Sequence, residues 1–408
     1  VLEGQDWLTA DATRAVMAAL AAAGGADCAR FVGGCVRNAV LGAPIDDVDI
    51  ATVLTPEAVV KALKAAGLKS VPTGMEHGTV TAISERQPFE ITTLRRDVST
   101  DGRRATVAFT DDWAEDAARR DFRLNALYAD ADGLILDPTG AGYEDALAGR
   151  IVFVGEPEQR IREDYLRILR FYRFFAWYGR GAPDVAAVEA CAALAEGVEQ
   201  LSAERVSKEL LKLLAAPDPR AAVRLMDQAG VLGRVAPQPK SLTLFEAMVG
   251  VSADPVLRLS ALLPDEAEAV RAAALKLRLS NAQRDRLVEA VAERLEIKQA
   301  LYKAIDAVRK PGSIVSSNTS TIPLAALTDG LPESFAADFL ITHFFNPPRI
   351  MRLLELVSGP KTRPDVTAKI HDFADRGLGK TVVVCKDTPG FIGNRIGNYW
   401  MVVAQNEA

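Results

Sequence analysis

The sequence predicts an α+β domain with a mixed β-sheet, followed by an all-α region and then by an α/β segment. Three observations predict this order. Up to about residue 150, short runs that alternate polar and apolar residues stand among helical stretches. From about residue 156 to 290, apolar residues recur at helical spacing, with breaks at prolines. Beyond that point, strand-like apolar runs return between helical stretches.

The individual elements follow from the same patterns. In the first region we expect helices at 8–24, 36–41 and 56–66, and strands at 29–34, 47–52, 79–84, 89–94 and 134–136. Residues 160–180 are expected to form one arginine-rich helix. In the last region we expect helices near 297–308 and 364–376, and strands at 313–316, 339–343, 353–357 and 381–385.

Composition narrows the class of protein. The 408 residues are 49% hydrophobic and 25% charged, which is typical of a globular chain with about two to four domains. A net charge of −6 argues weakly against a nucleic-acid coat protein but leaves room for a local basic face. Four cysteines and three histidines at no metal-ligand spacing disfavour zinc and favour a reducing cytoplasm. No membrane span or signal peptide is expected.

Two carboxylates stand out in the first region. Asp47 and Asp49 are two residues apart on an expected strand, so their side chains should project from one face. Their Cα atoms should lie about 6.6 Å apart. Such a pair can share two magnesium ions, activate an attacking hydroxyl and hold a leaving pyrophosphate. A lone D-x-D is more often a solvated turn or strand edge, so the pair needs further support.

That support lies just upstream. Gly33 and Gly34, followed by Arg37, place bare backbone N–H groups and a cation at a helix start, which is one way to hold phosphates. The run from Gly33 through Leu41-Gly42 to Asp49 resembles the head of the class II nucleotidyltransferase family, shared by bacterial CCA-adding enzymes and poly(A) polymerases. The resemblance implies a nucleotidyltransferase head with Asp47 and Asp49 as catalytic, metal-binding carboxylates.

Further motifs of that family follow in order. Residues 73–80 resemble its HGTV element, and 89–95 resemble a strand on which Glu90 supplies a third catalytic carboxylate. Glu90 could equally be a surface residue at a strand edge. Residues 115–126 resemble the ED-x-x-RRDF motif, which implies that Arg120, Asp121 and Asn125 bind ribose and triphosphate. Arg123 departs from the threonine usual at its position.

The arginine-rich stretch at 160–180 resembles the element that reads the incoming base. Residues 163–167 match the family's ED-x-x-R motif, which implies that Asp164 and Arg167 select the nucleotide. An acceptor-only Asp and a donor-only Arg three apart on a helix can together pair with a base edge. Arg170 and Arg173 are expected to face phosphates or RNA. The plainer interpretation is an amphipathic helix with a solvated arginine face.

Together these matches imply domains and a function. We expect a head at 1–150, a neck at 151–215 and a helical body at 216–286; residues 202–206 resemble the neck motif. The implied reaction is template-independent transfer of CMP or AMP from CTP or ATP to the 3′-hydroxyl of tRNA or another RNA, with two Mg²⁺ ions. CCA addition is favoured, but A addition and polyadenylation use the same residues. Relatives usually carry a further helical tail that grips tRNA.

Residues 287–408 resemble a different family, 3-hydroxyacyl-CoA dehydrogenase. The matching runs are 317–321, 343–347 and 386–395. They imply a partial Rossmann-like segment in which His343 and Glu355 form a general-base pair and Ser320 and Asn394 contact substrate. No GxGxxG occurs anywhere in the chain, so we do not expect NAD binding. We expect an interior fragment, fused to the transferase and inactive as a dehydrogenase. A non-catalytic RNA-binding protein is the remaining alternative.

Overall fold

The computed structural model describes residues 1–2, 4–101, 104–236, 242–264, 267–292, 295–319, 322–345, 348–388, 391–393 and 396. The chain divides into two compact units. The first comprises Val1–Leu263 with Leu275–Leu279, and the second comprises Pro264–Ala274 with Ser280–Ala408. None of the helices in the described residues has the length and apolar character needed to cross a membrane.

The first unit opens with an α+β arrangement built on a seven-stranded sheet. Its strands run along the chain as β1 (Ala29–Val32), β2 (Asp49–Thr52), β3 (Lys69–Gly74), β4 (Thr79–Ser84), β5 (Gln87–Thr93), β8 (Tyr128–Ala129) and β9 (Ile135–Leu136). Between β5 and β8, a separate hairpin consists of β6 (Arg95–Asp101) and β7 (Arg104–Phe109).

The spatial order of the sheet is β3-β4-β5-β2-β1-β8-β9. Strands β2 and β5 are parallel, whereas the other neighbouring pairs are antiparallel, so the sheet is mixed as predicted. Helices accompany it: α1 (Asp6–Thr9), α2 (Asp11–Gly24), α3 (Gly34–Leu41), α4 (Pro56–Ala65), α5 (Trp113–Ala118) and α6 (Gly142–Ala148). Because β2 lies in the middle of the sheet, the carboxylates at its start are carried by a firmly held strand.

Helices alone form the rest of the first unit, as the change of period predicts. They are α7 (Pro157–Glu163), α8 (Leu166–Tyr178), α9 (Val185–Ala193), α10 (Ala203–Leu214), α11 (Arg220–Gln228), α12 (Leu232–Val235), α13 (Leu242–Val249) and α14 (Pro255–Ser260). Buried phenylalanines fix the start of this region: Phe122 and Phe153 pack on Phe171 and Phe174 of α8, with ring centroids 4.8–6.4 Å apart. The predicted single helix at 160–180 is wrong, because the chain breaks between α7 and α8.

The second unit holds a four-stranded sheet in the order β10-β11-β12-β13. These strands are Val315–Ser317, Phe339–Phe344, Leu353–Val357 and Thr381–Cys385. The outer pairs are parallel and the central β11–β12 pair is antiparallel. Its helices are α16 (Asn281–Ala292), α17 (Leu295–Val308), α18 (Leu324–Leu327), α19 (Glu333–Ala337) and α20 (Pro364–Asp372), while α15 (Ala267–Lys276) is divided between the units.

Both faces of this second sheet are covered. One face packs on a cluster that includes Tyr302, Phe335 and Phe339, and the other on a cluster that includes Leu354 and Val366. Accordingly β11 is buried along nearly its whole length. Strands buried on both faces typically begin from a run of apolar residues, here Phe339–Ile341, and this run is why the sequence predicted the strand closely; Thr342 and His343 further along it are buried polar residues.

Candidate functional site

The three predicted catalytic carboxylates come together at the start of β2. Asp49 is the first residue of that strand and is the register partner of Glu90 on the parallel strand β5. Register partners on adjacent strands point to the same face of a sheet, so Glu90 lies beside Asp49. Asp47 precedes the strand rather than lying on it, which corrects the predicted strand start. Asp47 still keeps the alternation, because Val48 and Ile50 are buried while Asp47 is exposed.

This cluster carries negative charge that the chain does not fully balance. Burial, Glu90 and Asp47 raise the pKa of Asp49 to about 6, and only Arg120 acts in the opposite direction. Within the described residues, no hydrogen bond or ion pair reaches the side-chain oxygens of these three carboxylates. A partly buried carboxylate such as Asp49, without a donor, fits a cation supplied from outside the chain.

The donor set suits a hard divalent cation. Magnesium is usually held by one or two carboxylates together with substrate phosphates, not by a complete protein cage. The described part of the chain has no group of three or more His, Cys, Asp or Glu side chains arranged to hold a metal ion. Asp47 and Asp49 therefore fit as partial ligands, with the remaining positions open to a substrate.

The glycine pair lies at the start of α3. Gly33 is the N-cap residue and has φ +73 and ψ −120, a conformation that residues with a Cβ rarely adopt. A Cβ added to Gly33 would lie 3.6 Å from Nη1 of Arg120 and 3.9 Å from the carbonyl oxygen of Asn125. Gly34 begins the helix, whose first N–H groups lack intrahelical partners. The glycines thus keep the approach to Arg120 and the helix start open.

Arg120 is held in place by two buried groups. Its Nη2 donates to Oδ2 of Asp116 at 3.0 Å, and its Nε donates to the hydroxyl of Tyr128 at 3.1 Å. Although burial alone would raise the pKa of Asp116, Arg120 and Arg119 lower it. Sequence reasoning did not single out Asp116, but it stands in the quoted ED-x-x-RRDF motif. The guanidinium keeps Nη1, the atom nearest Gly33, without a hydrogen bond to the described residues.

A second network joins four of the predicted nucleotide-binding residues. Nη1 of Arg37 donates to Oδ1 of Asn125 at 2.6 Å, and Nδ2 of Asn125 donates to Oδ1 of Asp121 at 3.1 Å. Arg170 then donates to Oδ2 of Asp121 at 2.5–2.7 Å. Burial alone would raise the pKa of Asp121, but Arg170 and Asn125 hold it below its usual value. The network links α3 to α8 through Asn125 and Asp121.

Arg37 is more enclosed than predicted. Only 7% of it is exposed, and its guanidinium also donates to Asn38 and to the hydroxyl of Tyr178, each at 2.8 Å. The ring of Tyr178 lies 4.2 Å from the guanidinium carbon. These partners show that Arg37 positions its neighbours. Its direct contact with phosphate stays a prediction.

The predicted base-reading pair lies at the break between α7 and α8. Asp164 has extended backbone after α7, and its Oδ1 accepts from the backbone N–H of Leu166 at 3.1 Å. Its Oδ2 accepts from Arg205 at 2.7 Å. Asp164 and Arg167 therefore do not share a helix face, which corrects that expectation. The N-cap residue of α8 is Tyr165, and the Asp164 carboxylate accepts from the first N–H of that helix.

Arg167 is directed elsewhere. Its Nη1 donates to Glu163 and to the carbonyl oxygen of Arg160, both at 2.6 Å, and its Nη2 donates to the carbonyl oxygen of Arg119 at 3.2 Å. Arg205 and Glu163 thus hold the two predicted readers in place. Sequence reasoning left both out of the site, although they belong to the motifs at 202–206 and 163–167 that it quoted.

The second unit contains its own predicted pair. His343 and Glu355 are register partners on β11 and β12, and Nδ1 of His343 lies 2.7 Å from Oε2 of Glu355. Oε1 of Glu355 accepts from the backbone N–H groups of Ile392 and Gly393 at 2.9 and 2.8 Å. Burial alone would raise the pKa of Glu355, but His343 and these N–H groups lower it. The predicted contacts Ser320 and Asn394 lie outside the described residues.

Comparison with known families defines two classes of protein within one chain. Residues 29–152 match the family described as the poly A polymerase head domain, and 184–242 match a probable RNA and SrmB-binding site of polymerase A. Residues 263–388 match the NAD binding domain of 3-hydroxyacyl-CoA dehydrogenase. Both resemblances read from the motifs are confirmed: homologues of CCA-adding enzymes cover the N-terminal half, and homologues of dehydrogenases cover the C-terminal part.

Individual relatives agree with this division. The chain is 44% identical over 191 residues to human mitochondrial CCA tRNA nucleotidyltransferase 1, which is 45% of this chain and 43% of the relative. It is 38% identical over 206 residues to the CCA-adding enzyme of Geobacillus thermodenitrificans, covering 50% and 49%. It is 46% identical over 123 residues to a probable 3-hydroxyacyl-CoA dehydrogenase of Bacillus subtilis, covering 30% and 16%. The matched part of the chain therefore spans less than half the length of each of these three relatives.

Solved structures give the same fold. The crystal structure of the Bacillus stearothermophilus CCA-adding enzyme in complex with CTP matches with a TM-score of 0.53 and 27% identity, over 80% of this chain and 77% of that one. A tRNA-processing enzyme in its apo form I matches with a TM-score of 0.59 at 18% identity, covering 79% and 85%, which bears on the fold alone. The predicted fold class is confirmed.

Proposed function

We propose that this protein transfers CMP or AMP from CTP or ATP to an RNA 3′-hydroxyl without a template, and that CCA addition to tRNA is its reaction. One observation carries the proposal: Asp49 lies between Asp47 and Glu90 in a charge cluster that the chain does not balance. The similarity to CCA-adding enzymes over half the chain supports the choice among nucleotidyltransferases.

In this proposal, Asp47 and Asp49 hold two magnesium ions at the start of β2. When bound there with the triphosphate, the ions would activate the attacking hydroxyl and stabilise the leaving pyrophosphate. Glu90 adds a third negative charge beside Asp49 and so strengthens attraction of the metal. Gly33, Gly34 and the free Nη1 of Arg120 receive phosphate oxygens, as electrostatic stabilisation of phosphoryl transfer requires.

The remaining predicted residues orient the nucleotide. Asp121 and Asn125, fixed by Arg170, hold the ribose, and Asp164 and Arg167 read the base. Asp164 has room for this, because a carboxylate offers about four acceptor positions and its hydrogen bonds with Leu166 and Arg205 use only part of them. Arg167 uses three of about five donors on protein groups. A-only addition and polyadenylation would use the same residues and remain the alternatives.

Incubation with a tRNA that lacks its 3′ end tests the proposal. Labelled CTP and ATP are offered separately and together, and incorporation of both in order is expected. Asp47→Ala should reduce incorporation by about 10³-fold or more, since it removes a metal ligand. Asp132→Ala, at an exposed turn, is the control. Full activity of Asp47→Ala would overturn the mechanism, and tRNA binding without turnover would favour the non-catalytic alternative.

The contact between His343 and Glu355 is the one observation that favours a second activity, oxidation of a 3-hydroxyacyl-CoA. We propose that the pair is a remnant without this activity, because the chain lacks the GxGxxG motif that binds the dinucleotide. Reduction of NAD by the whole protein with a 3-hydroxyacyl-CoA would contradict this prediction.

Domain limits and location are also proposals. We propose a head at 1–150, a neck at 151–215, a body at 216–286 and a fused dehydrogenase fragment at 287–408. A reducing cytoplasm is supported by four cysteines that are all buried and free. The human relative carries the word mitochondrial in its name, so fractionation of cells is the direct check.

A further inference from the structure

A basic, aromatic cleft lies next to the carboxylate cluster and has no part in the function proposed so far. It has a volume of about 620 Å³ and is lined by the loop after α3 and by the ends of α8 and α10. Asp46, the residue immediately before Asp47, lines one side. The cleft therefore opens one residue away from a proposed metal ligand.

The opposite side of the cleft carries an exposed aromatic ring. Trp177 is 43% exposed at the end of α8, which is unusual for so large an apolar surface. Its Nε1 donates to the backbone carbonyl of Lys212 at 2.8 Å, so the ring is tied at one edge while its surface stays accessible. A fixed, exposed indole is a suitable platform on which a nucleic-acid base can stack.

Cations surround that ring. Arg180 and Lys212 line the cleft, are exposed, and have no carboxylate partner within the described residues. Arg173 also lines it but pairs with Glu209 at 2.6 Å. The single carboxylate in the lining is Asp46. The cleft thus combines two uncompensated cations with a stacking surface, although the whole chain has a net charge of −6.

We propose that this cleft binds the unpaired 3′ end of the RNA substrate, with one base stacked on Trp177 and neighbouring phosphates on Arg180 and Lys212. The proposal rests on the function proposed above and adds the site that presents the 3′-hydroxyl to the Asp47 cluster. Stacking with flanking cations is the chemistry by which proteins hold single-stranded nucleic acid without reading its sequence. The neighbouring carboxylates explain why a 3′ terminus, and not an internal segment, occupies it.

The cleft is also coupled to the rest of the site. Tyr178, the residue after Trp177, lines the cleft and accepts a hydrogen bond from Arg37 at 2.8 Å. Arg37 in turn contacts Asn125 in the proposed ribose network. One residue therefore touches both the RNA side and the nucleotide side, so the two substrates are held against a common support.

Binding of a short 5′-labelled single-stranded RNA, followed by fluorescence anisotropy, tests the cleft directly. Trp177→Ala should weaken binding about tenfold, which corresponds to the loss of one stacked base. Lys212→Glu should also weaken binding, and should reduce the slope of log affinity against log salt by about 0.7 for each lost phosphate contact. In turnover assays both variants should raise KM for RNA and leave KM for CTP unchanged.

Two variants serve as matched controls. Tyr143→Ala removes an aromatic side chain that is 42% exposed on α6, and Lys64→Glu reverses an exposed charge on α4. Neither should change RNA binding. Should Trp177→Ala fail to fold, Trp177→Phe keeps an aromatic ring, and its RNA-induced quenching of tryptophan fluorescence should be lost while binding is largely kept.

The outcomes separate this proposal from the function it rests on. Unchanged RNA affinity in both Trp177→Ala and Lys212→Glu would overturn the cleft assignment. An increase in KM for CTP with unchanged KM for RNA would overturn it too, by placing the nucleotide there. If the wild-type protein incorporates neither CTP nor ATP but the anisotropy results hold, the proposed function fails and the RNA cleft stands.

Discussion

Each of the two predicted sites contains a carboxylate on a strand, partly buried at Asp49 and fully buried at Glu355, and the two carboxylates have opposite electrostatic surroundings. Asp49 in the first unit lies beside Asp47 and Glu90, and its pKa is raised to about 6. Glu355 in the second unit accepts hydrogen bonds from His343 and two backbone N–H groups, and its pKa is lowered. Both carboxylates lie on strands, and each has a register partner that the sequence motifs also identified: Glu90 for Asp49 and His343 for Glu355.

The difference concerns where the balancing charge comes from. Glu355 is stabilised by hydrogen bonds within its own chain. Asp49 is left with like charges, which destabilises the free protein unless a cation enters. We propose that a metal ion bound with a triphosphate would relieve this imbalance at the Asp49 site. The comparison predicts opposite responses when each charge is removed.

The largest effect is expected at Glu355. Glu355→Ala should leave His343 and the N–H groups of Ile392 and Gly393 buried without an acceptor, which costs about 3–5 kcal/mol. Faster hydrogen exchange across β11 and β12 of the whole protein, measured by mass spectrometry, is the readout. Glu333→Ala, at an exposed position of α19, is the control. Unchanged hydrogen exchange in Glu355→Ala would show that the hydrogen bonds of Glu355 do not stabilise β11 and β12.

Substitution of Asp121 is expected to have the next largest effect on stability. Asp121 also shows that balanced carboxylates are not confined to the second unit. It lies in the first unit but is balanced by Arg170 and Asn125, as Glu355 is by its partners. Asp121→Asn should therefore destabilise the first unit by about 1.5–3 kcal/mol, because a charge-assisted bond is lost. Urea unfolding monitored by tryptophan fluorescence measures this, with Asp132→Asn as control. A gain in stability would show that the charge of Asp121, like that of Asp49, is not balanced by its neighbours.

Asp49→Asn should have the opposite sign. In the absence of metal, replacing the charged group should stabilise the first unit by about 1–3 kcal/mol, since a shift of about two pKa units corresponds to this range. The same variant should lose incorporation of CTP and ATP. Unfolding in the presence of a chelator, beside the tRNA assay, measures both. A destabilised Asp49→Asn protein would show that the carboxylate is balanced by groups other than a metal.

Strands with strong local patterns were predictable from sequence. The strands at 79–84, 353–357 and 381–385 have the predicted bounds: the first and last are rich in β-branched side chains, and the second is a short apolar run with one glutamate. The strand at 69–74 was missed: it is mostly exposed and contains Pro72, so it has no apolar alternation to detect. Local pattern therefore finds strands that contribute to the core and misses exposed edge strands.

The site was predictable in its residues but not in its contacts. The motifs supplied Asp47, Asp49 and Asp164, whereas the position of Glu90 beside Asp49 depends on which strands pair. The break at Asp164 has no glycine or proline to mark it. The Asp164 side chain there accepts from the N–H of Leu166, which is a local contact, and from Arg205, which is 41 positions away in the chain. No short sequence window contains the second of these contacts.

The smallest expected effect is a pH dependence confined to the Asp49 site. The folded-state pKa is about 6 and the ordinary value is 3.8, so the folded protein binds the proton more tightly. Below about pH 4 both states are protonated, and Asp49 carries no penalty. As pH rises from about 4 to about 6 the folded state loses stability relative to Asp49→Asn, by less than about 1.4 kcal/mol per pH unit, and above pH 6 the difference is constant.

Urea unfolding of both proteins from pH 4 to 8 in a chelator measures this, and added magnesium should shift the window to lower pH. A difference that does not vary with pH would show that Asp49 titrates normally, and the contrast with Glu355 would then disappear.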